Sequence, residues 1–343
     1  MRNILHESVA IIQEKFIPAV SKKHLHLFRF GIAALTLSPF RSLNSNARVA
    51  VKNTNTAYTK MYRLTKQKKL LSVFPAIMKS FLFVKPESVV AIDFSTFCGF
   101  QVLTFAVQTH VGRAIPVYFE VITYPIEKET SQNIFIEQAC RHLGEILGFY
   151  PRFVLDRGFA IPSLITFFMK EQIIFYVRCK ASKHVLMPKA DGTEQSLKIS
   201  KIKQFDQHVL VYDKILRLVI SNKPAKNKEP WYLFTNDFDS SRKAIIKIYY
   251  YRFEIEETFR DLKHIYDLRA FQIKQVQSFS LVLWFVIAGV WLSFSIEEVK
   301  LQLKTSLSKN MHKKLSIVRL WSEGIQRSFL YSFLNTSYME QFF

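Results

Sequence analysis

The stretch Tyr249 to Lys263, YYYRFEIEETFRDLK, decides how the rest of the chain is read. Two, three and six residues separate Tyr249, Arg252, Glu256 and Lys263 in turn. At about 100° per helical residue, with Tyr249 at zero, Arg252 falls near ~300°, Glu256 near ~340° and Lys263 near ~320°. The spacing predicts one helix with four polar side chains on a narrow stripe. Glu254 and Glu257, at about 140° and 80°, fall off it. One carboxylate between two cations and a phenol can hold a metal ion beside a polyanion: the carboxylate takes the metal, the others grip phosphate oxygens. A solvated face with i,i+4 ion pairs has the same spacing. The metal reading therefore needs partner carboxylates elsewhere in the chain.

Two suitable carboxylates lie upstream. Ser88-Val-Val-Ala-Ile-Asp93 reads as a buried strand with Asp93 at its end, and Arg152-Phe-Val-Leu-Asp156 as a short strand ending in a second acid before an Arg-Gly turn. Phe100–Thr109 and Ile115–Val121 are two further strands, joined through His110-Val-Gly112-Arg113 as a hairpin. Ser131–Leu147 and Ile161–Lys170 have helical period, and Ile173–Arg178 is a strand. The order β-β-β-α-β-α-β predicts an α/β fold with a mixed sheet and helices on its faces. Open sheets of this kind place their sites at carboxyl ends of strands. Three carboxylates meeting at one point would repel, so a bound cation is implied, and hard oxygen donors suit Mg²⁺ or Mn²⁺. Two such ions about 4 Å apart would clamp an in-line phosphoryl transfer.

Short alternating runs between Lys180 and Glu229 read as a β-rich insertion. Trp231–Thr235 returns as a strand, and Asp239-Ser240-Ser241 caps the helix that carries the Tyr249 stripe. The uncharged run Phe279–Ile296 is long enough to approach a membrane span but reads as a buried core helix. No membrane partner is expected.

The formal net charge of +21 over 343 residues implies a polyanionic partner or an anionic membrane surface. Residues 1–85 carry fifteen Lys and Arg against only Glu7 and Glu14, so more than half of that excess sits in a quarter of the chain. Within Ser42–Leu71, Asn, Thr and Ser alternate with Arg48, Lys52, Arg63 and Lys66, the side-chain types that meet phosphates and base edges. This region is read as an all-α DNA-binding region. Cys98, Cys140 and Cys179 have neither metal-ligand spacing nor a disulfide pattern, which fits a reducing cytoplasm. The N-terminal run has no long apolar segment and does not read as a signal peptide.

These features together resemble the DDE transposases of bacterial insertion sequences, in the group bearing the Tyr-x2-Arg-x3-Glu-x6-Lys signature. The resemblance covers roughly Ser88–Ser295. It rests on AIDFST at Asp93, VGRAIPV, VLDRGF at Asp156, IIFYVRCK, Trp-x-Leu-x-Thr at Trp231–Thr235, and the signature itself. It implies an RNase H-like catalytic core over 86–298, interrupted by the insertion at about 180–229. A basic helical region (1–85) would precede it, and a helical tail (299–343), placed by position as a dimerisation element, would follow. It implies cut-and-paste transposition with two divalent ions, Asp93 bridging both and Asp156 and Glu256 each holding one. A freed 3′-hydroxyl would form a hairpin that is reopened and joined to target DNA. By the same resemblance Tyr249, Arg252 and Lys263 would meet DNA near the cut, and Trp231 would stack on a flipped base. The partners would be duplex terminal repeats, target DNA and a second copy of the chain, met in the bacterial cytoplasm at the nucleoid. The alternative is a DNA-binding descendant of such an enzyme that no longer catalyses.

Overall fold

Three antiparallel strands, the first two joined by a tight turn, begin the sheet. The computed structural model describes residues 2–37, 43–51, 53–123, 132–188, 194–221, 229–268, 272–297, 299–300 and 316–333. Strand β1 (Val89–Phe97) turns at Cys98-Gly99 into β2 (Phe100–Val107). Both turn residues have positive φ, 51° and 80°, as a type I′ two-residue hairpin requires. Strand β3 (Ile115–Thr123) pairs with β2 at the sheet edge, the position that tolerates Pro116 within a strand. Helix α6 (Gln132–Leu147) leads to β4 (Arg152–Leu155), and α7 (Pro162–Lys170) to β5 (Phe175–Cys179). Strands β1, β4 and β5 run parallel, so the expected mixed α/β sheet is present.

The insertion does not stand apart from this sheet. Strands β6 (His184–Pro188), β7 (Glu194–Lys198), β8 (Asp206–Val211) and β9 (Lys214–Ile220) are followed by β10 (Tyr232–Thr235). Strand β10 pairs antiparallel with β5 on one side and β9 on the other. The result is one ten-stranded sheet in the order β3-β2-β1-β4-β5-β10-β9-β8-β6-β7. Two ties bind the added strands to the original ones. The Tyr212 hydroxyl, at the β8–β9 turn, donates to the Ala160 carbonyl at 3.0 Å, four residues past Asp156. Arg217 of β9 forks onto Asp206 at 2.7 Å and donates to the Ser240 carbonyl at 2.6 Å, just before the next helix.

Every described element before β1 is helical: α1 (Arg2–Ile11), α2 (Lys22–Gly31), α3 (Leu43–Ala50), α4 (Thr54–Thr65) and α5 (Phe74–Ser80), with short π and 3₁₀ turns between some of them. Two helices follow β10, α8 (Arg242–Tyr251) and α9 (Glu254–His264); then come α10 (Val276–Ser295) and α11 (Ile317–Phe333). Helix α10 is the one described helix long and apolar enough to cross a membrane, yet nearly all of it is buried inside the protein. It is the common axis of the core. Phe28, Phe74 and Phe119 pack on its Trp284 and Phe285, with ring centroids 4.5–5.4 Å apart. Trp291 donates to the Pro116 carbonyl of β3 at 2.7 Å. Trp321 of α11 donates to Ser8 of α1 at 3.2 Å, so the helix in the tail joins the N-terminal helices. The tail's residues 301–315 and 334–343 lie outside the described residues.

Gly31 shows how tight this junction is. A Cβ there would overlap the Phe285 ring. Alanine is favoured over glycine in a helix by about 1 kcal/mol, whereas overpacking a filled core costs about 1–3 kcal/mol. The clash wins, because the ring is wedged between Phe28 and Phe74. Gly31→Ala should therefore lower the thermal midpoint; an unchanged or raised midpoint would mean that α2 does not pack on α10 as described.

Candidate active site

The parallel register sets the first two carboxylates side by side. The last β1–β4 pair is Ile92 with Leu155, so Asp93 and Asp156 are the next residues on neighbouring strands. Asp156 follows the end of β4, as its sequence context predicts. Asp93 does not end its strand: it is the fifth of nine residues in β1, which runs on as a hairpin with β2. The fully buried run stops before Asp93: Phe94 and Ser95 after it are only partly buried and Thr96 is exposed.

The signature stretch is also not one helix. Helix α8 ends at Tyr251 and α9 starts at Glu254. Between them the backbone makes short i→i+3 bonds, Arg252 N–H to Tyr249 at 3.1 Å and Ile255 N–H to Arg252 at 3.2 Å. The stripe survives this break in part. The Tyr249 hydroxyl donates to Asp156 at 3.0 Å. Arg252 donates to Asp93 at 3.3 Å through Nη1 and to Glu256 at 2.7 Å through Nη2. Two hydrogen-bonded sets result, Tyr249 with Asp156 and Arg252 with Asp93 and Glu256, and they lie side by side, the Arg252 guanidinium 5.7 Å from the centre of the Tyr249 ring.

Lys263 lies elsewhere on α9, with Nζ 5.1 Å from the Phe97 ring at the end of β1. Trp231 packs edge-to-face on Tyr249 at 5.1 Å and beside Phe253 at 6.0 Å, which places it against the same cluster. Arg48 lies on α3, Arg63 on α4 and Lys66 at the C-cap of α4, all exposed, and Lys66 donates to Gln275 at 2.9 Å. Lys52 lies outside the described residues.

Arg252 dominates the electrostatics. Its side chain is only 3% exposed, whereas that of Glu256 is 48% exposed and faces solvent. Burial pushes the Asp93 carboxyl up to about 6; Arg252 and the Phe94 N–H oppose this, while Glu256 and Asp156 add to it. Burial also works against the Asp156 carboxylate, but Arg252, the Arg157 N–H and the Tyr249 hydroxyl outweigh it and hold Asp156 below its usual range. Burial and the neighbouring Asp156 raise the Tyr249 phenol, so it stays a donor.

Among the described residues no three acidic, imidazole or thiol side chains are gathered into a ready-made metal cage. The donor set nonetheless fits a hard divalent cation. Asp93 and Glu256 meet on one guanidinium, Asp156 lies beside Asp93 in the β1–β4 register, and burial makes the Asp93 carboxyl resist ionisation, a cost that a cation would relieve.

Two features escaped the sequence reading. Glu254, set aside as lying off the stripe, is buried and accepts the backbone N–H groups of Thr109, His110 and Gly112 at 2.8, 3.2 and 2.8 Å. Arg113 of the same loop pairs with Asp261 of α9 at 2.7 Å. The β2–β3 loop is thereby fastened to the helix carrying Glu256. Only the Gly-Arg hairpin signal hinted at this.

Residues 135–292 match the family model of the transposase DDE domain. The match includes Asp156, Trp231, Tyr249, Arg252, Glu256 and Lys263, and it supports a DDE transposase family and a transposase function in general. Asp93 precedes the matched residues and joins the group through the β1–β4 register. No curated protein matches the chain.

Proposed function

We propose that this chain is a DDE transposase that cuts and joins DNA at the ends of its own insertion sequence, with Asp93, Asp156 and Glu256 as its acting carboxylates. The observation that carries this reading is the meeting of all three around Arg252, from β1, β4 and α9. Mg²⁺ or Mn²⁺, held as two ions by these carboxylates, would activate a water or 3′-hydroxyl and stabilise the leaving oxygen. The chain's own groups do the rest. Tyr249 orients Asp156 through its hydroxyl. Arg252, expected from the sequence to meet DNA, is instead buried with both arms of its fork on Asp93 and Glu256, and it neutralises and positions those carboxylates. Lys263 holds a neighbouring phosphate, and Trp231 supports an unpaired base at the cut.

The basic helices of residues 1–85, with Arg48, Lys52, Arg63 and Lys66, hold the duplex ends. Residues 86–298 form the catalytic unit, and 299–343 contribute to a dimer that brings two ends together. The substrate is chromosomal DNA, so the working place is the bacterial cytoplasm at the nucleoid.

The test is excision in cells of a marker flanked by the element's ends. Wild type should excise it and Glu256→Gln should not; equal excision by both would overturn the assignment. Duplex affinity should also fall steeply with salt, by about 10³-fold or more between 50 and 200 mM if six or more phosphates are neutralised. A flat response would contradict the role given to the basic helices.

A further inference from the structure

The outer face of α8 has no part in the chemistry above, yet its composition is one-sided. Its sequence, RKAIIKIYYY, contains three cations and no acid. Ile245 and Tyr249 point inward, while Lys243, Lys247 and Tyr250 follow one another at i, i+4 and i+7 on the exposed side. Tyr250 is 61% exposed, unusual for so large a ring without a partner surface. Its neighbour Tyr251 continues the ring surface, edge-to-face at 5.5 Å, and Lys247 Nζ lies 5.9 Å from the Tyr251 ring.

This surface is braced. The His110 ring of the β2–β3 loop packs on Tyr251 at 4.1 Å. That loop is held by Glu254, and Gln108 Nε2 donates to the Ile248 carbonyl of α8 at 2.9 Å. The Tyr251 ring is thus held before any ligand arrives, and Tyr250 lies edge-to-face against it, which lowers the ordering cost of binding. The inner side of the same helix carries Tyr249, whose hydroxyl donates to Asp156, so one helix presents its buried face to the carboxylates and its exposed face to solvent.

We propose that the outer face of α8, the helix whose inner side carries Tyr249, holds an unpaired DNA strand, with a base stacked on Tyr250 and phosphates on Lys243 and Lys247. Charge complementarity selects a polyanion. The ring face selects an unpaired strand, since bases in a duplex are already stacked on one another while a freed base has a π-face to offer. The inference deepens the transposase reading and rests on it, for an enzyme that opens DNA ends must hold the strand it frees.

The test uses the full chain with chelator present, so that no cleavage intervenes. A labelled single strand of 12 nucleotides and a duplex of 20 base pairs serve as probes for binding by fluorescence anisotropy. Tyr250→Ala should weaken single-strand binding about tenfold and leave duplex binding within about twofold, whereas Tyr250→Trp should preserve both. Lys243→Gln with Lys247→Gln should reduce the single-strand salt slope by about 1.4, the contribution of two phosphates. The side chains are exposed, so melting curves should superimpose on wild type. Equal effects on both probes, or none on either, would overturn the proposal. If neither wild type nor any variant cleaves DNA with Mg²⁺, the enzymatic reading fails, while these binding ratios still decide the strand track.

Discussion

Asp93→Asn is expected to abolish DNA cleavage and, in the same protein, to raise the melting temperature of the metal-free form at pH 8. The first effect follows from its place beside Asp156: losing metal-based charge stabilisation of several kcal/mol corresponds to roughly 10³-fold in rate. The second follows from burial. The folded-state pKa of Asp93 is about 6, above the ordinary 3.8. A carboxyl raised in this way opposes folding while it is ionised. That cost is fully present above pH 6 and is relieved as the pH falls from 6 toward 4, amounting to about 3 kcal/mol. Asparagine keeps the shape without the charge, so the variant should melt roughly 5 °C higher at pH 8 and converge with wild type near pH 4. Added Mg²⁺ should raise the wild-type midpoint more than that of the variant. A variant that melts lower than wild type at pH 8 would mean that Arg252 satisfies Asp93 in full and no cation is needed there.

Arg252→Ala should have the opposite effect on stability. The guanidinium is almost wholly buried and lies between Asp93 and Glu256. Removing one partner of a buried ion pair costs about 3–5 kcal/mol, because the remaining charge stays desolvated. Glu256 is half exposed and can turn to water, so about 3 kcal/mol is expected. Urea denaturation should show a lower midpoint with an unchanged slope. Arg252→Lys keeps the charge but loses the two-armed fork that spans both carboxylates, and should fall between the two. If alanine is tolerated without loss, the described Arg252 bridge does not form in solution.

Some of this was legible because it is local. A buried apolar run followed by an acid is enough to place Asp93 on a strand and Asp156 just past the end of one. The three-residue spacing from Arg252 to Glu256 survives the helix break, because the i→i+3 turns keep both residues on the same side. The break itself was illegible: a polar stripe counted at 3.6 residues per turn looks the same whether or not two turns tighten in its middle. The length of β1 was hidden for a related reason. A strand paired on both sides and buried on most of one half shows no two-residue alternation, and its end is set by the Cys98-Gly99 turn rather than by Asp93. The long-range ties left no local mark. Glu254 reads as a solvated helix residue until Thr109, His110 and Gly112 are seen to donate to it, 142–145 residues earlier in the chain. Likewise, nothing in β10 alone says that it joins the insertion strands to the sheet that holds the carboxylates.

The most direct measurement is single-turnover cleavage of a linear duplex bearing the element's end, with Mg²⁺ present. Wild type would be compared with Asp156→Asn and Glu256→Gln, and the products resolved under denaturing conditions. The three-carboxylate account predicts nicked and hairpin products from wild type only, with all three proteins binding the duplex equally. Cleavage that persists in either variant would contradict it.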